Sequence, residues 1–258
     1  MNPQENKKIL HADIVVTHAC NCHCPFCIDK FRNTNDKMIS LQRVEQFLDL
    51  IKYCTEKTDE FKYATPNKIS ILLLGGEPTM IGDWALEFIA EQIHERGFTA
   101  SMSTNGILHD VLFKTIPLFD WTQITAFTPQ FMKRYEYLAH KINYKIPADE
   151  HMDFHIFKKQ VEYAKSVGFG RISMSMYFDE KWNEICTDPE MHEFLDSLEW
   201  ERQGSYVYTM WEGVRLKRCI PHVTNVDDEP LIPKLYPNGN YNKTWCNEDN
   251  DPYLGNLP

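Results

Sequence analysis

The chain has 258 residues, 43% of them hydrophobic and 25% charged, with a formal net charge of -10 at pH 7. These are ordinary globular values, with length enough for one large α/β domain or two small ones. The acidic balance excludes a broad nucleic-acid footprint, which needs clustered Lys and Arg. No apolar run approaches the roughly 18 residues that span a bilayer, so no membrane partner is expected. Residues 1–10 are polar and charged, without the apolar stretch of a secretory leader. Eight cysteines are too sparse for a disulfide scaffold, and four of them crowd into residues 20–27. Such crowding suits a metal better than pairwise bridges, and the chain reads as cytoplasmic, where thiols stay reduced.

In chain order, residues 12–17 form a short β-branched run that stops just before the cysteines. Residues 40–53 carry Leu41, Val44, Phe47, Leu48 and Ile51 at helical spacing, with Ser40 placed as an N-cap. Residues 68–74 read as a buried strand closed by Gly75-Gly76, and residues 84–96 as an amphipathic helix ended by Gly97. The alternation continues with a strand at 98–104, a helix at 109–119 and a strand at 121–128. Beyond these lie a helix at 154–166, a strand at 171–178, a helix at 190–202 and a strand at 205–211. Six strands separated by helices predict an α/β fold with a parallel sheet built from right-handed crossovers. Residues 129–153 are an irregular insertion. After Trp211 the chain turns rich in Pro, Asn and Asp and loses its period. The expected organisation is therefore a domain over residues 1–211 and a loop-rich C-terminal extension, 212–258, packed on it.

Ligands of parallel α/β sheets bind at the carboxyl ends of the strands. Three notable loops fall there. The run Cys20-x3-Cys24-x2-Cys27 follows the first strand, Gly75-Gly76-Glu77-Pro78 ends the second, and Ser103-Thr104-Asn105-Gly106 ends the third. Three close thiolates on one loop can bind three irons of a cubane and leave the fourth open for chemistry. Gly75 and Gly76 let backbone approach a ligand closely. Glu77 can accept a charge-assisted hydrogen bond from an ammonium group, and Pro78 stiffens the turn.

Together the cysteine run and the Gly-Gly-Glu-Pro turn resemble the radical S-adenosylmethionine (SAM) enzyme superfamily, over roughly residues 12–211. The resemblance implies a partial (β/α)6 TIM-like barrel whose first loop carries a [4Fe-4S] cluster on Cys20, Cys24 and Cys27. SAM would chelate the open iron and be cleaved reductively to a 5′-deoxyadenosyl radical, an oxidoreductase-type chemistry that abstracts hydrogen from a substrate. It also implies a reductant such as flavodoxin or ferredoxin. Phe26 falls where the superfamily packs an aromatic or apolar residue near the adenine. Gly75, Gly76, Glu77 and Pro78, with Ser103, Thr104 and Asn105, fall where SAM is held. Thr125 and Thr128 are ribose candidates from the fourth strand. Cys22 reads as a bystander thiol.

The tail around Tyr236-Pro-Asn-Gly239 and Trp245-Cys246 resembles the start of the auxiliary-cluster extension of peptide-modifying and molybdenum-cofactor relatives, which tilts the substrate toward a peptide or protein. The chain departs from that pattern by ending twelve residues after Cys246 with no further cysteine. The tail therefore reads as vestigial; the sharper alternative completes an auxiliary cluster on Cys219 and Cys246 with Cys186 or non-cysteine ligands. Cys54 reads as a core residue. Two other functions stay open: a small-molecule or nucleotide-modifying radical SAM enzyme, deazapurine synthase-like, and a binding module whose crowded cysteines hold structural zinc.

Overall fold

In a computed structural model of the chain, the described residues are 11–24, 27, 38–57, 69–177, 184–203, 206–219, 234–239 and 241–242. Phe26 and Cys246 lie outside them. The elements in chain order begin with β1 (His11–Val15), α1 (Leu41–Lys57), β2 (Ser70–Leu74), α2 (Asp83–Glu95), β3 (Thr99–Thr104), α3 (His109–Thr115) and β4 (Trp121–Thr125). Next come α4 (Pro129–Met132), β5 (Ile142–Ala148), α5 (Phe154–Val167), β6 (Arg171–Met176) and α6 (Pro189–Asp196). The last are β7 (Glu201–Gln203), β8 (Tyr206–Trp211), β9 (Val214–Cys219), β10 (Lys234–Leu235) and β11 (Tyr241–Asn242). The architecture is α/β, an open and mostly parallel arrangement of strands of the partial TIM-like barrel kind.

The described residues divide into two compact units. Those within 1–22, 29–122 and 230–258 form the first, and those within 23–28 and 123–229 the second, so the chain crosses between them inside β4. In the first unit the strand order is β11-β10-β1-β2-β3-β4. β1 and β2 pair in parallel from His11↔Ser70 to Val15↔Leu74, and β2 and β3 from Ser70↔Thr99 to Leu73↔Met102. Ala12, Ile14, Ile71, Leu73, Ala100 and Met102 are wholly buried, as are Val44, Phe47 and Leu48 of α1 and Leu86, Ile89 and Ile93 of α2. The helical spacing visible in the sequence is thus the face that covers this sheet. At its edge β10 adds to β1 in parallel, bringing Lys234 opposite Asp13 with Nζ 3.4 Å from the carboxylate.

The second unit has the order β5-β6-β9-β8-β7, and it corrects three expectations. Residues 129–153 are not irregular: they hold α4, a 3-10 helix (Lys133–Lys141) and β5, which pairs in parallel with β6 from Asn143↔Arg171 to Ala148↔Met176. β5 escapes a period-based reading because Asn143, Lys145 and Pro147 interrupt it. Asn143 is buried but satisfied: it donates to Gln123 Oε1 at 3.1 Å and accepts from Ser173 at 3.0 Å. Pro147 costs little, since the Ala126 N–H already bonds the Lys145 carbonyl at 2.7 Å and that ladder ends where the missing proline N–H would continue it.

The strand expected at 205–211 exists as β8, but it runs antiparallel to β9. It is β9, in the stretch expected to be loop, that pairs in parallel with β6. The turn between β8 and β9 is Glu212-Gly213, both at positive φ (46° and 82°), which matches the twist of a tight hairpin. The helix expected at 190–202 stops at Asp196, and β7 follows as an antiparallel partner of β8.

Candidate functional site

The loop after β1 and the turn after β2 are stitched together in the first unit. The Gly76 N–H donates to the Thr17 carbonyl and the Glu77 N–H to the Ala19 carbonyl, each at 2.8 Å. Gly75 has φ +137°, and a Cβ there would run into the Thr17 carbonyl oxygen; a Cβ on Gly76 would run into the carbonyls of His18 and Ala19. These two positions must be glycine because another stretch of protein backbone crosses them, the backbone that leads directly into Cys20. The close approach expected for a ligand is used first by the cysteine loop itself.

Glu77 is 1% exposed, a fully buried carboxylate. Burial of a charge is tolerable only with dense hydrogen bonding. Oε1 accepts from the Thr79 N–H at 3.0 Å, the Thr79 hydroxyl at 2.6 Å and the Thr104 hydroxyl at 2.6 Å, while Oε2 accepts from the Asn105 N–H at 2.7 Å. Glu77 also caps the 3-10 helix Pro78–Ile81, with Pro78 at its first position, where a missing N–H is harmless. The carboxylate therefore clamps the ends of β2 and β3. Among the described residues Oε2 takes one donor, which leaves it capacity for one more.

Asn105 follows Thr104 at the end of β3. Its side-chain oxygen accepts the Ile107 N–H at 2.9 Å, and its Nδ2 faces the cysteine run, 2.7 Å from Asn21 Oδ1 and 3.4 Å from Cys22 Sγ. Ser103 is half-buried on the same strand. The first unit thus gathers Gly75, Gly76, Glu77, Pro78, Thr104 and Asn105 around the start of the cysteine run. Thr79 and Asn21 belong to this group and carried no signal in the sequence.

The cysteine run is divided between the units, with Cys20 and Cys22 in the first and Cys24 and Cys27 in the second. None of the four is in a disulfide among the described residues, and all are half-buried. The Cys22 N–H points at Cys20 Sγ at 3.4 Å, and the Cys27 N–H donates to the Cys24 carbonyl at 3.1 Å. Among the described residues no group of three or more His, Cys, Asp or Glu side chains is drawn together as a metal site. The donor chemistry nonetheless fits an iron-sulfur cluster: unbridged soft thiols, partly accessible, with an N–H already directed at one sulfur.

The remaining candidates lie elsewhere. Thr125 is half-buried at the end of β4. Thr128 is not on that strand: it is the N-cap of α4, its hydroxyl accepting the Phe131 N–H at 3.1 Å. Cys186 is fully buried, and its thiol donates to the Met152 carbonyl at 3.2 Å. Burial pushes the Cys186 thiol up, the opposite of what a metal ligand needs. Cys54 sits half-buried on α1 rather than in the core. Cys219 ends β9 as a backbone position, with its side chain outside the description.

No protein-family model and no curated protein matches the sequence. Among solved structures the chain is similar to native anSMEcpe with bound AdoMet and Cp18Cys peptide, at 15% identity and a TM-score of 0.52, covering 72% of this chain and 58% of that one. Native and histidine-tagged anSMEcpe with bound AdoMet match at 17% and 16% identity, each with a TM-score of 0.48 over 76% of this chain and 54% of theirs. The chain spans little more than half the length of these proteins. anSMEcpe is a radical SAM anaerobic sulfatase-maturating enzyme. The likeness is one of fold: this chain shares the fold of the anSMEcpe structure. No helix among the described residues is long and apolar enough to cross a membrane.

Proposed function

We propose that the chain is a radical SAM enzyme that acts on a peptide or protein. One observation carries the reading: the loop that opens the cysteine run and the Gly-Gly-Glu-Pro turn are hydrogen-bonded to each other at the ends of two adjacent parallel strands. In this reading Cys20, Cys24 and Cys27 hold a [4Fe-4S] cluster. When bound, that cluster supplies the electron that cleaves SAM reductively to methionine and a hydrogen-abstracting 5′-deoxyadenosyl radical. The Gly75-Gly76 turn holds residues 17–19, the start of the cysteine loop, against the end of β2. The remaining acceptor capacity of Glu77 Oε2 suits an ammonium group, which gains from a buried carboxylate. Ser103 and Thr125, half-buried at strand ends, are the candidates for hydroxyl or carboxylate groups of SAM. The peptide substrate is supported by the tail resemblance and by the peptide bound to the similar anSMEcpe structure. The reductant is a flavodoxin or ferredoxin, and the setting is the cytoplasm.

The test is anaerobic purification and iron-sulfide reconstitution, followed by dithionite, SAM and candidate peptides. Formation of 5′-deoxyadenosine is the expected result. A clustered protein that forms none with any peptide or small-molecule substrate overturns the enzyme reading. Bound zinc without visible charge-transfer absorption points instead to the binding module.

A further inference from the structure

The carboxamide of Asn105 is oriented by its surroundings. Its Oδ1 is held at 2.9 Å by the Ile107 N–H, a donor, so the opposite end must be the NH2 group. That NH2 has two hydrogens. One meets Asn21 Oδ1 at 2.7 Å; the other faces sulfur, with Cys22 Sγ at 3.4 Å and Cys20 Sγ at 3.9 Å. Cys20 Sγ also has the Cys22 N–H at 3.4 Å, so two N–H groups converge on it. The Asn105 backbone is fixed in turn, since its own N–H is held by the buried Glu77 carboxylate at 2.7 Å. An amide pinned at three points and aimed at two sulfurs is not an idle surface group.

Donors to a cluster's sulfurs stabilise the more reduced, more negative state and so raise the reduction potential. We propose that Asn105 is a positioning residue of the cysteine run: its carboxamide donates N–H to the sulfurs of Cys20 and Cys22 and, through Cys20, sets the reduction potential of the bound cluster. The inference rests on the reading of Cys20 as an iron ligand. It gives Asn105 a role toward the sulfurs rather than toward SAM, and it gives Cys22 a role as well, as the sulfur that shares the amide with the ligand.

Two variants test it, N105A and N105D, each reconstituted anaerobically alongside the unaltered protein. N105D is nearly isosteric, and its carboxylate still accepts the Ile107 N–H, so the turn is kept while the donor to sulfur is lost. Folding is checked by circular dichroism, iron and sulfide by assay, and the midpoint potential by redox titration followed by electron paramagnetic resonance. The expected result is a more negative midpoint in both variants, with N105D shifted further because it also adds a negative charge. Folded N105D with iron content below that of the unaltered protein supports the positioning role too. Unchanged iron and unchanged midpoint in both variants overturn the proposal and leave the cluster reading standing. An unaltered protein that takes up no iron overturns both together.

Discussion

The hydroxyl of Thr104 donates to the carboxylate of Glu77 at 2.6 Å, joining the end of β3 to the turn that ends β2, with both side chains buried. This bond is one of four on a carboxylate that has no cation within its hydrogen-bonding shell among the described residues. Among the described residues the charge is held by oriented neutral donors alone. Removing it strands them.

The first prediction follows from that. E77Q keeps the shape but turns an NH2 group toward at least one N–H or O–H donor. A stranded buried donor costs about 1–3 kcal/mol. E77Q should lose about 2–4 kcal/mol of stability, read from urea unfolding. T104V should lose less, since Glu77 then gives up one donor of four. A midpoint for E77Q equal to that of the unaltered protein would mean that the clamp is not structural.

Gly76 makes the second. A methyl group there meets the carbonyls of His18 and Ala19, both backbone, so neither can rotate away. G76A should be destabilised by about 3 kcal/mol or more and should take up less iron. G168A is the matched control. Gly168 caps α5 in the left-handed region (φ +80°, ψ 39°) with no other atom near the added methyl. It should cost only about 1–2 kcal/mol, the conformational penalty alone, and leave iron uptake unchanged.

The cysteines make the third. C20A, C24A and C27A should each abolish cluster uptake, measured as iron and sulfide after reconstitution. C22A should keep the cluster, because the proposed ligands are Cys20, Cys24 and Cys27. It should shift the midpoint, since the Asn105 amide then has one sulfur rather than two to share. Equal loss of iron in C22A would show that the ligand set is wrongly assigned.

The fourth concerns pH. Burial pushes the phenols of Tyr144 and Tyr163 well above the ordinary tyrosine value, with the Glu136 carboxylate raising Tyr163 further. Both are neutral in the folded chain. On unfolding they regain a pKa of about 10 and release protons above it. The folded state then binds more protons than the unfolded one, so stability is intact below about pH 10 and falls as pH rises beyond it. Urea midpoints from pH 8 to pH 11 should show this decline. Y144F should lower stability at pH 8, because the Gln160 carbonyl loses its 3.1 Å donor, but it should flatten the alkaline slope. An unaltered slope in Y144F would place the titration elsewhere.

Much of this protein is legible along the chain. Ile14, Ile71 and Met102 lie in runs short and apolar enough to be buried parallel strands. Val44, Phe47 and Leu48 repeat at helical spacing. The residues of the cysteine run and of the Gly-Gly-Glu-Pro turn are local patterns whose family resemblance implies the fold. These features are readable because each is set by neighbours within a few positions, through backbone periodicity and turn geometry.

What needed the folded chain depends on residues far apart in sequence. Asn143 and Pro147 argue against a strand until Gln123 and Ser173 satisfy the amide and the end of the β4 ladder excuses the proline. β8 became antiparallel, and β9 took its place beside β6, because a two-residue turn at Glu212-Gly213 reverses the chain. No local pattern shows that Gly75 and Gly76 are demanded by the backbone of Thr17 to Ala19, or that Glu77 takes four hydrogen bonds from Thr79, Thr104 and Asn105. Nor does one show that Asn105 points at sulfur. Local rules place the cysteines and the glycines in their loops; only packing brings backbone against backbone and amide against thiol, because those contacts join strands whose residues are up to 85 positions apart.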